Sequence, residues 1–145
     1  MHERHRELLS HLRDAIKAVR VFKQRTAPRD TAVPAGALGV LATITAGRGS
    51  HVKELAAESA LDPSTISRAV AALVRDGLVE RAADPADGRA CVLTATDTGR
   101  AAYDQVLDRY GHGLADALRD WTPDELRTFS TLLHRFAHDL LEAAR

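Results

Sequence analysis

The chain has 145 residues, a length that suits one domain with a core that needs no disulfide or metal to hold it. Its 45% apolar and 28% charged side chains exclude wholesale disorder, and 20 basic against 20 acidic residues exclude a chain-wide field for nucleic acid or membrane. Cys91 is the only cysteine, no run of 18 apolar residues occurs, and Met1 leads into the charged HERHRE, so the expectation is a cytoplasmic protein without disulfides, signal peptide or membrane association.

Residues 3–25 predict an amphipathic helix with Leu8, Leu12, Ala15, Val19 and Phe22 on one stripe. Pro28 and Pro34, with Asp30 and Thr31 between them, mark the break that follows. Leu38, Leu41 and Ile44 predict a second helix that stops at Gly47-Arg48-Gly49. Ser50 is the expected N-cap of a short helix over Val52–Ser59, with Val52, Leu55 and Ala56 facing inward. Asp62-Pro63 opens the next helix, because Asp62 accepts orphan backbone N–H groups and Pro63 sits where no N–H is needed. That helix is expected to bury Ile66, Val70 and Leu73 and to close at Gly77.

Residues 78–82 and 90–94 predict two short strands around a turn-rich ADPADGR tip, hence a hairpin. Thr96-Asp97 then opens a long helix to about Asp120. Ala102, Val106, Tyr110, Leu114 and Ala117 are expected to face inward, and Gly111 and Gly113 offer a place for a kink. Thr122-Pro123-Asp124-Glu125 is a capping box with proline at the first helical position. It heads a last helix with Leu126, Phe129, Leu133, Phe136 and Leu140 at three- and four-residue spacing.

The order of these elements, two short helices at a tight turn followed at once by a hairpin, predicts a mainly α fold with a small β-hairpin wing: a winged helix-turn-helix. Its second helix opens with Ser64, Thr65, Ser67 and Arg68 on the side away from Ile66 and Val70. Short hydroxyls and a forked guanidinium suit base edges and phosphates in a major groove, although serine and threonine also gather at helix starts for capping alone. Arg75, farther along, is counted with the same surface. At the hairpin tip Asp87-Gly88-Arg89 puts an arginine where it can enter a minor groove, with Asp87 near enough to hold its fork; an ordinary Asp-Gly turn is the plainer account. Residues 1–30 carry eight basic and four acidic side chains, and residues 94–145 six arginines and nine acids, so any nucleic-acid surface is local.

The stretch from Leu55-Ala56 through Ser64-Thr65-Ile66-Ser67-Arg68, Leu73, Gly77-Leu78-Val79-Glu80-Arg81, Asp84, Asp87, Arg89, Leu93-Thr94 and Gly99 resembles the multiple-antibiotic-resistance regulator (MarR) family. The resemblance covers nearly the whole chain. It implies a homodimeric transcriptional regulator, often a repressor, that binds a palindromic operator on double-stranded DNA and in many members responds to a small molecule or oxidant. It also implies one domain over residues 1–145, with a winged core at about 35–95 and dimerisation helices at about 3–25 and 97–145. The broad apolar stripes of the first and last helices independently suggest a dimer, since one short chain has little core left to cover both.

Other signals are weaker. His134 and His138 lie one helical turn apart beside Asp139, a spacing open to a metal, but apolar neighbours make solvated or interface histidines the default. Cys91 is expected to be a small buried hydrophobe. Tyr110 and Trp121 fit a pocket wall or core packing equally. No nucleophile, paired-carboxylate or phosphate-loop pattern occurs, so neither an enzyme nor a bound cofactor is expected. The alternatives to a DNA-binding regulator are a degenerate winged helix that binds protein, which zero net charge would suit, and a zinc-responsive regulator.

Overall fold

In the computed structural model, the described residues are 2–27, 30–34, 36–86 and 91–144. They form, in order, α1 (His2–Thr26), α2 (Leu38–Thr45), α3 (Val52–Ser59), α4 (Pro63–Arg75), β1 (Val79–Ala83), β2 (Cys91–Ala95), α5 (Asp97–Ala117) and α6 (Pro123–Ala143). The chain divides into two compact units, Met1–Gly111 and His112–Arg145.

The core of the first unit follows from the apolar periodicity. Leu41 of α2, Leu55 of α3, and Ile66, Val70 and Leu73 of α4 are fully buried, with Leu78 and Val79 at the start of the hairpin. α2 packs against α3, α4 and β2, so the helix-turn-helix and the hairpin share one core. Ala102 and Val106 of α5 and Val33 of the loop between α1 and α2 join it. Val33 carried no periodic signal, because a single loop residue belongs to no stripe.

The turn between α3 and α4 closes when the Leu61 N–H donates to the Ala56 carbonyl at 3.2 Å, with Ala60 held at φ 50°. α4 ends similarly: Gly77 takes φ 71° and the Leu78 N–H reaches the Leu73 carbonyl at 2.9 Å. This closure moves the hairpin one residue from its expected place. Leu78 is spent on ending the helix, so the strands run Val79–Ala83 and Cys91–Ala95, antiparallel, with Val79 opposite Ala95 and Ala83 opposite Cys91.

Four further expectations need correction. The N-cap of α3 is His51 rather than Ser50; the Glu54 carboxylate accepts both backbone N–H groups, at 2.8 Å from Ser50 and 3.2 Å from His51. Cys91 is exposed rather than buried, because it shares the inward side of β2 with Leu93 and Ala95 but sits at the far end of the ribbon, beyond the core. Leu114 and Ala117 of α5 are exposed, the former by 50%, whereas Ala102 and Val106 are buried and Tyr110 half-buried. α5 also runs through Gly111 and Gly113 as one unbroken helix.

Thr96 joins α5 to the hairpin. Its hydroxyl donates to the Gly77 carbonyl at 2.7 Å and accepts the Gly99 N–H at 3.0 Å, while its own N–H reaches the Leu78 carbonyl at 3.1 Å. Gly99 is required there: a Cβ on it would stand 1.9 Å from the Leu78 carbonyl oxygen.

In the second unit, α6 starts at the expected capping box. The Glu125 N–H donates to the Thr122 hydroxyl at 3.2 Å, and the Thr122 N–H donates to the Glu125 carboxylate at 2.7 Å. That backbone N–H and the Thr122 hydroxyl hold the Glu125 carboxyl below the usual range. Trp121 stands edge-on to Phe129, ring centres 5.4 Å apart. No residue of α6 is buried.

Candidate nucleic-acid interface

α4 begins with its cap. Asp62 accepts the Thr65 backbone N–H at 2.9 Å and the Thr65 hydroxyl at 2.7 Å, and the Ser64 hydroxyl also donates to it. These donors, the Ser64 hydroxyl foremost and Thr65 next, drive the Asp62 carboxyl far below its ordinary value. One guanidinium nitrogen of Arg68 lies 3.4 Å from the Thr65 hydroxyl oxygen. Asp62, Ser64, Thr65 and Arg68 thus form one hydrogen-bonded chain along the first turn.

At 100° per residue, Ser64, Ser67, Arg68 and Arg75 fall within an arc of about 100°, opposite Ile66, Val70 and Leu73. Burial agrees: those four are exposed, Thr65 is half-buried beside them, and the three apolar residues are fully buried. The structure therefore brings Ser64, Thr65 and Arg68 together and leaves Ser67 beside them. Arg75 lies about two turns away and is engaged by its neighbour, with its Nε 2.9 Å from an Asp76 carboxylate oxygen, a pairing that raises its pKa.

The hairpin is fastened to the helix-turn-helix at two points, in the middle of β2 and just past the end of β1. The Leu93 N–H donates to the Ser50 carbonyl at 2.8 Å, and His51 Nε2 lies 3.1 Å from an Asp84 carboxylate oxygen. The other ring nitrogen of His51 is 3.3 Å from Glu54, so the imidazole sits between two carboxylates. This link has no signature in the sequence, for nothing local relates residues 33 positions apart. The grip of Asp62 on the flanking hydroxyls has one, the cap spacing Asp62-x-x-Thr65. Asp87 and Arg89, the expected wing-tip pair, lie outside the described residues.

His134 and His138 are exposed on α6; His138 lies 3.6 Å from Asp139, and among the described residues no group of three or more metal-ligating side chains occurs. Tyr110 stacks obliquely on Phe22, ring centres 6.1 Å apart, and with Val33, Leu38 and Val106 it lines a cavity of about 180 Å³. Among the described residues no helix is long and apolar enough to cross a membrane.

Residues 33–90, which hold the helix-turn-helix and the first strand of the hairpin, match the MarR family model. Over 90 residues the chain is 39% identical to the uncharacterized HTH-type transcriptional regulator YxaD of Bacillus subtilis (strain 168), a match over 59% of this chain and 60% of that protein's length. The chain thus spans about three-fifths of the curated relatives it matches. Among solved structures it is similar to wild-type MarR from E. coli in its apo form, at 26% identity and a TM-score of 0.69, covering 90% of this chain and 95% of that one. It is also similar to the PcaV transcriptional regulator from Streptomyces coelicolor in complex with its natural ligand, at 26% identity and a TM-score of 0.66, covering 89% and 91%. A recognition-type helix with an exposed polar face, a hairpin pinned beside it and these matches agree: the chain is similar, over its helix-turn-helix and hairpin, to the MarR family of winged helix-turn-helix transcriptional regulators.

Proposed function

We propose that this chain is a sequence-specific DNA-binding regulator of transcription that acts in the cytoplasm as a homodimer on a palindromic operator. The observation that carries the proposal is the face of α4, where Ser64, Ser67 and Arg68 are exposed opposite a fully buried apolar side and Thr65 is bonded to Arg68. Arg68 reads a base, and the hydroxyls support it. Arg75 reaches DNA only by leaving Asp76, so its contribution is the smaller. Arg89 of the wing tip enters the minor groove, oriented by Asp87.

The homodimer is supported by the uncovered stripes of α1 and α6, where Leu8, Ile16 and Val19 and then Phe129, Leu133 and Leu140 are exposed in the single chain. Repression released by a small molecule is the regulatory mode we favour. The structurally similar PcaV regulator was solved with its natural ligand, and the cavity beside Tyr110 would take only a compact effector, being smaller than the usual range for drug-sized ligands.

The test is binding to a pool of random duplexes, followed by measurement on the selected site at several salt concentrations. A palindrome should emerge, with affinity falling steeply as salt rises. Arg68→Ala should cost about 1–3 kcal/mol on that site and relax the preference at one base pair. An equal loss on selected and random duplexes would make Arg68 a phosphate contact. Failure of any duplex to bind at low salt would leave the protein-binding winged helix as the better account, for which the balanced charge of 20 basic and 20 acidic residues speaks.

A further inference from the structure

We propose that Asp62 sets the hydrogen-bonding polarity of the recognition helix, turning Thr65 into an acceptor toward DNA. The proposal rests on the DNA-binding role of α4 given above and concerns which bases its first turn selects. Asp62 is a positioning residue here: it acts through Thr65 and touches no base itself.

An ionised carboxylate can only accept hydrogen bonds, and Asp62 is ionised at neutral pH, held so by the donors around it. Each hydroxyl carries one proton. The proton of Thr65 is committed to Asp62 across 2.7 Å, and that of Ser64 to the other carboxylate oxygen of the same group. The guanidinium of Arg68, itself only a donor, approaches the Thr65 oxygen at 3.4 Å, as an oxygen whose proton points elsewhere requires. What Thr65 offers outward is therefore a lone pair.

A hydroxyl free to rotate is indifferent to the base it meets, since it donates or accepts as needed. One locked as an acceptor is selective. It pairs with the exocyclic amino groups of adenine or cytosine in the major groove, and it is repelled by the acceptor edges of guanine and thymine and by phosphate oxygens. The commonest use of threonine at a DNA surface, donation to phosphate, is closed to Thr65 while Asp62 is charged.

Asp62→Asn separates this role from capping. The asparagine carbonyl can still accept the Thr65 backbone N–H that starts the helix. Its amide nitrogen, placed where a carboxylate oxygen now faces Thr65, must donate to that hydroxyl and so turns its proton outward. The experiment is selection from a random duplex pool with the wild type, Asp62→Asn and Thr65→Val, each checked for helix content. The wild type should favour adenine or cytosine at one position under the first turn of α4, by about fivefold for a single hydrogen bond. Thr65→Val should lose that preference, and Asp62→Asn should move it to guanine or thymine. An unchanged preference in Asp62→Asn, or a uniform gain on every sequence from removal of a negative charge, would overturn the proposal while leaving α4 a DNA-binding helix. Absence of any duplex binding by the wild type would overturn the DNA-binding role, and this proposal with it.

Discussion

α4 and α6 have nearly the same sequence grammar and opposite fates. Each opens with a side-chain cap followed by proline, and each carries apolar residues at three- and four-residue spacing. In α4 those residues, Ile66, Val70 and Leu73, are fully buried by neighbouring elements. In α6 none is buried: Phe129, Leu133 and Leu140 are about half exposed. Periodicity thus reports that a helix has a face to bury, not what will bury it. For α4 the cover is the rest of its own unit; for α6 we propose a second copy of the chain.

The contrast can be broken most forcefully in the core. Leu73→Ala removes a side chain with no exposed surface and should cost about 2–5 kcal/mol of unfolding free energy, read from the urea midpoint. A loss below about 1 kcal/mol would mean that the helix-turn-helix core is looser than its burial implies. On α6, Leu133→Glu should leave the stability of an isolated chain within about 0.5 kcal/mol, because the side chain is already 51% exposed there. Association should respond instead: light scattering should show a dimer for the wild type at micromolar concentration and a monomer for the variant. An unaffected dimer would remove α6 from the interface.

The same contrast marks how much was legible beforehand. The starts of α4 and α6 were readable because a cap is stated locally, by Asp62-Pro63 in one and by Thr122-Pro123-Asp124-Glu125 in the other. The family's ordered residues from Leu55 to Gly99 carried the winged helix-turn-helix as a whole. What escaped depends on distant partners. The first strand starts one residue late because Leu78 closes α4 onto Leu73, and Cys91 is exposed because the core ends before the ribbon does. The inward run expected along α5 stops near Tyr110, and Leu114 beyond it is half exposed. Within the candidate interface, residue types and spacing gave Ser64, Thr65, Ser67 and Arg68, but not that Asp62 already holds two of the hydroxyls.

Acid should affect both regions through the same chemistry. The carboxyls of Asp62 and Glu54 in the helix-turn-helix and of Glu125 in α6 all have lowered pKa values in the folded chain. Each therefore contributes stability that is fully present above its unfolded value, near 4, and is lost as pH falls through the folded value. Stability from this source should be flat at neutral pH and decline below about pH 4.5. Glu125→Gln should remove only the α6 share, flattening the decline in part. A decline that begins above pH 6 would have to come from other groups.

The smallest expected effect is just past the end of β1, where His51 lies between Glu54 and Asp84. Two physical terms set its size. The ring is 32% and the Asp84 carboxylate 16% exposed, so solvent weakens their attraction, and pairs of this kind contribute about 1 kcal/mol or less. The hairpin also keeps a second fastening without His51, the Leu93 N–H on the Ser50 carbonyl at 2.8 Å, supported by the burial of Leu93 itself. His51→Ala should therefore lower the unfolding free energy by no more than about 1 kcal/mol and leave the Leu93 amide protected from hydrogen exchange. A loss above about 2 kcal/mol, or rapid exchange at Leu93, would show that the side-chain link and the backbone link act as one cooperative joint. The wing would then be held mainly by His51 rather than by the core beneath it.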